Sequence, residues 1–415
     1  MLKTLFKKIE MMLQDFFHID IAYYKKNGFF QIVGYSVEVV KGVVLSILLA
    51  RILSPVVYGK YKYILSFLPI FSYLALSAAA DGVIQGVAKK FEATYFFLLK
   101  KTFYWALLNI PAAIALALFS YFRNQKDIAL IFVCLIPIMP FYSTVGLYSA
   151  YWIGKRNFRK NATIVGVNAI VVLVVVASLV VLRVSLLWQV VGFVVITTLI
   201  KLFFEIEALM ASDKNSGVDS AAVSYSNKMS ILGVIMVIRS NIDKILLANF
   251  VGFSDLALYS VATVIPDQIK SIFSVILQPA IPRFVAYDSR EIFRMIDKKI
   301  FHIILFAGVF FGGILIAIPY VIPLVFGAQY RLAVVLSMLC VGSSFLPSIV
   351  QPYMIAMNAK TQAKKLYIIN VSFSVIELAL LVICIPLWGM YGAIFAKTIS
   401  RVYISGAAVY FSRQK

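Results

Sequence analysis

Arg239, Asp243 and Lys244 stand inside an otherwise apolar run, Met229 to Val251. A guanidinium, a carboxylate and an ammonium can hold an anion, carry a proton or neutralise one another. The run is long enough to span a bilayer, since ~20 residues at about 1.5 Å rise cover the hydrocarbon core. Each charge at mid-membrane costs roughly 2.5–3.5 kcal/mol on insertion scales. Three of them must therefore pair or face water, which makes them candidate functional residues.

Other apolar runs carry charge as well. The first holds Glu38 and Lys41, the second ends at Asp81, the eighth holds Asp267 and Lys270, and the eleventh holds Glu377. The twelfth holds Lys397 and Arg401. Arg239 and Asp243 are four residues apart, while Glu38–Lys41 and Asp267–Lys270 are three apart, so each couple can pair on one helix face and serve only to lock helices. Lys397 and Arg401 are like charges at i,i+4, which repel unless an anion or carboxylate lies between them. Lys244 is five residues from Arg239 and falls on another face.

With Asp81 and Lys201 set aside as end-of-span residues, cations Lys41, Arg239, Lys244, Lys270, Lys397 and Arg401 face carboxylates Glu38, Asp243, Asp267 and Glu377. A cavity with that cationic excess favours an anionic substrate group, the opposite of what a cation exporter needs. Asp243, Asp267 or Glu377 could bind a coupling proton or sodium ion.

The elements that must hold these residues are membrane helices. The chain has 415 residues, of which 62% are hydrophobic and 14% charged. Soluble domains carry ~25% charged residues, and repeated apolar runs of 18 or more define a polytopic membrane protein. About twelve runs centre near residues 40, 72, 112, 139, 171, 194, 240, 268, 312, 344, 376 and 400. Arg183-Val-Ser185 forms the tight turn between the fifth and sixth. Pro69, Pro266, Pro279 and Pro282 fall in or near the second and eighth spans, and Pro347 and Pro352 interrupt the tenth. Broken helices in matching halves point to a transport path, although benign kinks are as common.

Enzymatic chemistry finds little support. Cys134, Cys340 and Cys384 are isolated, and His18 and His302 have no ligand-spaced neighbours. No nucleophile motif, Gly-rich phosphate loop, metal site or cofactor site is visible. Residues 1–28 are too charged for a cleavable signal. Leu2, Leu5, Phe6, Ile9, Leu13 and Phe16 share one helical face, as in an interfacial helix or an amphipathic cap on the bundle.

The net charge of +21 is explained by topology rather than nucleic acid. With Lys and Arg assigned to alternating loops, 24 fall with the termini and even loops against seven in the odd loops. This positive-inside bias predicts both termini in the cytoplasm, with the basic loops facing anionic lipid.

An internal repeat is visible too. Ile47–Ala50 and Ile245–Ala248 both read ILLA, and at the same offset Tyr61 lies over Tyr259. Lys155, Arg159 and Lys160 lie over Lys360, Lys364 and Lys365 at nearly that offset. Two six-helix lobes related by a parallel pseudo-two-fold axis follow, an arrangement suited to alternating access. Their expected limits are 29–205 and 225–415, after an N-terminal segment 1–28 and around a cytoplasmic linker 206–224.

Several segments resemble one family. LLARILSPVVYGKY (Leu48–Tyr61), DGVIQGVAKK (Asp81–Lys90), IRSNIDKILLANFVG (Ile238–Gly252) and LYSVA (Leu258–Ala262) resemble signatures of polysaccharide-exporting flippases. GAQYRLA (Gly327–Ala333) and MNAKTQ (Met357–Gln362) resemble their tenth-span boundaries. The chain thus resembles a Wzx-type O-antigen or capsule repeat-unit flippase of the multidrug/oligosaccharidyl-lipid/polysaccharide (MOP) superfamily.

That resemblance implies an all-α, MATE-like fold of twelve transmembrane helices in a bacterial inner membrane. It implies an undecaprenyl-diphosphate-linked oligosaccharide as substrate, carried from the cytoplasmic to the outer leaflet. A polysaccharide polymerase and a chain-length regulator become expected partners. Spans one, two, seven and eight line the cavity in that fold, which would place Lys41, Arg239, Lys244 and Lys270 there with Glu38, Asp243 and Asp267 as their partners. Three other readings stay open: a MATE-type small-molecule or cation antiporter, a peptidoglycan-precursor lipid flippase, which usually needs fourteen spans, and an assembly factor with no transport cycle.

Overall fold

A computed structural model of the protein describes residues 21–277, 289–359 and 363–413, so the amphipathic segment at the N-terminus and Pro279 and Pro282 lie outside the described residues. Among the described residues every regular element is helical.

Among the described residues ten helices precede the central linker: α1 (Ile21–Ile52), α2 (Pro55–Leu74), α3 (Ala79–Ala88), α4 (Ala93–Ala106), α5 (Asn109–Phe122), α6 (Lys126–Leu135), α7 (Met139–Thr144), α8 (Tyr148–Gly154), α9 (Phe158–Val181) and α10 (Leu186–Ala211). Five described α-helices follow it: α11 (Ser220–Phe250), α12 (Phe253–Leu277), α13 (Ser289–Phe326), α14 (Ala333–Ala359) and α15 (Ala363–Arg413). Each of the twelve apolar run centres lies on one of these helices, the last two sharing α15. Gly389, at φ 57°, breaks the helical backbone inside α15.

Six described segments are each long and apolar enough to cross a membrane. Two bent pairs, α2 with α3 at 46° and α6 with α7–α8 at 66°, bring the number to eight. α1, α11 and α12 carry most of the charged candidates.

Local chemistry sets the helix ends. Ser54 precedes Pro55, and its Oγ accepts the Val57 N–H at 3.5 Å, so cap and first-turn proline start α2 together. Asn157 caps α9 by accepting the Lys160 N–H at 3.1 Å. The α9–α10 connection is the expected tight turn, with Arg183 at φ 52°. The helical bounds leave only residues 212–219 outside helix between α10 and α11, shorter than the expected linker 206–224.

Contacts divide the chain into two compact units. One spans residues 30–257, the other the described residues of 258–415. The first unit thus contains α11, the charged seventh span, packed on the bent α2–α3 pair. Small residues make that packing close. A Cβ on Gly82 would fall 2.0 Å from Ser226 Oγ, and one on Gly233 would fall 2.3 Å from Ser77 Oγ. Ser230 Oγ accepts the Ala78 N–H at 3.0 Å, satisfying a backbone donor at the α2–α3 bend. Without a hydrophobic force between helices in lipid, such small-residue contacts and hydrogen bonds hold spans together.

In the second unit α13, α14 and α15 pack in sequence. Tyr61 and Tyr259, the pair that the repeat aligns, are both fully buried, each in its own unit.

Candidate functional site

α1 and α10 bring four charges together in the first unit. Glu38 and Lys41 form a direct ion pair, with the Lys41 side chain 18% exposed. Lys201 and Glu205 lie one turn apart on α10, and Lys201 interacts electrostatically with Lys41, Glu38 and Glu205. Lys201 lies near the middle of α10, not at its end, because the helix continues to Ala211. Its ammonium sits 5.1 Å from the Tyr142 ring centroid. A cation–π contact contributes ~0.5–2 kcal/mol, less than the roughly 2.5–3.5 kcal/mol cost of a mid-membrane charge.

Glu205 is 2% exposed. It anchors the break in the fourth span, between α7 and α8, where Gly146 adopts φ 136°. The Gly146 and Tyr148 N–H groups donate to its Oε2 at 2.6 and 3.3 Å, and the Tyr95 hydroxyl donates to Oε1 at 2.6 Å. The carboxylate therefore supplies acceptors for the donors that a broken helix exposes.

On α11, Asp243 is fully buried and accepts the Lys244 N–H at 2.9 Å. Arg239 and Lys244 are half-buried on the same helix. In the second unit the two like charges of α15 turn to different neighbours. Lys397 lies 5.3 Å from the Tyr259 ring centroid. Arg401 Nη1 donates to the Cys340 carbonyl at 3.1 Å, to Ser344 Oγ at 2.9 Å and to Ser343 Oγ. Arg401 thus clamps α15 to α14. Glu377 is buried on α15, Asp267 is exposed on α12, and Asp81 is exposed on α3. The side chain of Lys270 lies outside the described residues.

The linker 212–219 is strapped to the α3–α4 connection. Lys89 Nζ lies 2.8 Å from Asp219 Oδ2, the Asp219 N–H donates to Thr94 Oγ1 at 2.9 Å, and the Ala93 N–H donates to Ser216 Oγ at 2.9 Å. Glu92 pairs with Lys155 and accepts the Asp213 N–H at 3.2 Å and the Tyr151 hydroxyl at 3.0 Å. The hydrogen bond from Lys89 and the N–H groups of Ala222 and Ala221 hold the Asp219 carboxyl below its usual pKa, despite burial. For Glu92 burial acts upward, but Lys155, the Asp213 N–H and Tyr151 outweigh it and the pKa is lowered.

A depressed carboxylate contributes stability above its unfolded pKa, about 4, and loses it as pH falls through the lower folded value. Hydrogen exchange is therefore expected to show the Ala93 and Asp219 amides still protected at pH ~4 and released only below it. Release already at pH ~5 would contradict this assignment.

An all-helical fold with bent spans and charges inside them defines a class, the polytopic membrane proteins of MATE-like architecture. The inward closed structure of the lipid II flippase MurJ superposes with a TM-score of 0.63 at 13% identity, covering 93% of this chain and 87% of MurJ. An inward-facing multidrug resistance MATE family transporter of the MOP superfamily gives 0.62 at 9%, covering 92% of this chain and 97% of that one. An outward-facing MATE family transporter of that superfamily gives 0.59 at 10%, covering 93% of each. At these identities the likeness is one of fold. The family comes from sequence: residues 24–288 match the family described as polysaccharide biosynthesis protein, and the chain belongs to it. No curated protein sequence matches the chain.

Proposed function

We propose that the protein is a flippase that moves an undecaprenyl-diphosphate-linked polysaccharide repeat unit, of O-antigen or capsule type, from the cytoplasmic to the outer leaflet by alternating access. The observation that carries this reading is membership of the polysaccharide biosynthesis family over residues 24–288 in a chain with the MOP-superfamily fold. The chain would lie in a bacterial inner membrane with both termini in the cytoplasm, as its Lys and Arg distribution favours. A polymerase and a chain-length regulator would take the product onward.

The lipid tail stays in the bilayer while the diphosphate and sugars cross. Moving a diphosphate into hydrocarbon without compensation is prohibitive, so cationic donors must replace its water. Arg239 is the first of these, since its planar fork binds phosphate oxygens in pairs. Lys41, Lys244, Lys270, Lys397 and Arg401 supply further positive charge. Asp243, Asp267 and Glu377 are the carboxylates for proton or sodium coupling, with Glu38 and Asp81 as charge partners.

The test is complementation of a flippase-null strain at matched membrane expression. A charge-assisted hydrogen bond contributes about 1.5–3 kcal/mol, so Arg239→Ala is expected to lower surface polysaccharide at least ~10-fold, and Arg239→Lys to recover part of it. Full activity of both variants would remove Arg239 from the substrate path. Reporter fusions are expected to place both termini in the cytoplasm and Gly327 outside. A cytoplasmic Gly327 would overturn the orientation.

A second reading, flipping of a peptidoglycan-precursor lipid, is favoured by the fold likeness to MurJ. It shares the polyprenyl diphosphate chemistry, and competition between the two lipid classes for transport separates them. The cationic excess of the spans argues against a MATE-type cation antiporter.

A further inference from the structure

We propose that Lys201 is an anion-binding residue of the first unit, contacting a phosphate of the lipid-linked substrate from α10. This rests on the flippase reading above.

Lys201 lies near the middle of a helix long and apolar enough to cross a membrane. Its two carboxylate neighbours are already committed. Glu38 is paired with Lys41. Glu205 takes two backbone N–H groups and the Tyr95 hydroxyl. Among the described residues Lys201 makes no hydrogen bond or ion pair, and its direct partner is the ring of Tyr142.

An ammonium has three donors and no acceptor, and a ring face satisfies none of them as a hydrogen bond. Lys41 adds a second positive charge within electrostatic reach. Two ammonium groups in one apolar setting repel one another until an anion joins them. Phosphate, with several acceptor oxygens and more than one negative charge, fits that pair better than a neutral sugar hydroxyl.

A substrate-binding lysine and a structural one behave oppositely when the charge is removed. If Lys201 serves a ligand, Lys201→Met removes a membrane ammonium that makes no hydrogen bond among the described residues, and the ligand-free protein keeps or gains thermal stability. If Lys201 holds the fold together, the same variant melts lower.

The experiment uses the full chain in lipid nanodiscs. Thermal midpoint and equilibrium binding are measured with undecaprenyl diphosphate and, separately, with inorganic pyrophosphate. For Lys201→Met the expected result is an unchanged or raised ligand-free midpoint together with at least ~10-fold weaker binding of undecaprenyl diphosphate, and Lys201→Arg should restore most of the binding. Weaker pyrophosphate binding in the same variant would place the recognised group in the phosphates themselves. Loss confined to the lipid-linked form would place it in the headgroup as presented by the membrane. A lower ligand-free midpoint for Lys201→Met, or binding equal to the native chain, overturns the assignment of Lys201 and leaves the flippase reading standing. Failure of the native chain to bind undecaprenyl diphosphate at all overturns both.

Discussion

Replacing Glu205 by leucine is expected to lower the stability of the protein by at least ~3 kcal/mol, because each buried donor left without an acceptor costs about 1–3 kcal/mol. Three donors use this one side chain: the Gly146 and Tyr148 N–H groups, and the Tyr95 hydroxyl, whose other acceptor is the Glu205 carbonyl at 3.4 Å. Removing a buried charge is often harmless when the site can be refilled with apolar atoms. Here a leucine would face the exposed N-terminus of α8 and could accept nothing. Glu205→Gln keeps one acceptor oxygen and should lose roughly half as much. Thermal unfolding in detergent measures the difference, and membrane accumulation should fall in the same order. A leucine variant that melts with the native chain would show that water or a rearranged bend serves those donors.

The second large effect is expected at Gly59. A Cβ there would fall 1.8 Å from the Phe253 carbonyl oxygen and 2.5 Å from its carbon. The obstacle is backbone, so no rotamer change relieves it. α2 must separate from residue 253, and the edge contact of the buried Tyr63 ring with Phe253, at 5.7 Å between centroids, opens with it. Overpacking typically costs ~1–3 kcal/mol and more when backbone must move, so Gly59→Ala is expected to cost about 3 kcal/mol or more. Gly42 supplies the contrast, since a Cβ there meets nothing within 4 Å. Gly42→Ala should be neutral or stabilising by up to ~1 kcal/mol, the helix-propensity difference. Equal melting of the two variants would contradict the close approach.

The membrane class, the positions of the spans and the tight turn at Arg183 were legible because they depend on local sequence: apolar length and turn chemistry. The charged seventh span was legible for the same reason. Its packing on α2 and α3 was less so, because the Gly82–Ser226 and Gly233–Ser77 contacts join residues far apart in the chain. Lys397 and Arg401 illustrate the limit most clearly. Their spacing placed two like charges on one helix face, but it could not show that Arg401 reaches a carbonyl and two hydroxyls on α14 or that Lys397 lies near the Tyr259 ring. Neutral acceptors of that kind leave no charge signal in a sequence.

Glu205 and Lys201 were missed for a related reason. Lys201 was set aside as an end-of-span residue, and Glu205 fell at the expected limit of the first lobe. α10 continues to Ala211 and carries them inward. The available signal was their i,i+4 spacing within the apolar stretch that leads to Ala211, which marks two charges on one buried face. The partners of Glu205 on the fourth span and α4 could not be read from spacing, because the bend at Gly146 brings them together.

The most direct measurement is flipping by the purified chain in sealed proteoliposomes, using a fluorescent undecaprenyl-diphosphate oligosaccharide and following its accessibility to a membrane-impermeant quencher. Protein-dependent translocation of this lipid, little movement of a labelled phosphatidylcholine, and a marked fall with Arg239→Ala are expected. Translocation no faster than in protein-free vesicles, with the chain folded and correctly inserted, would contradict it.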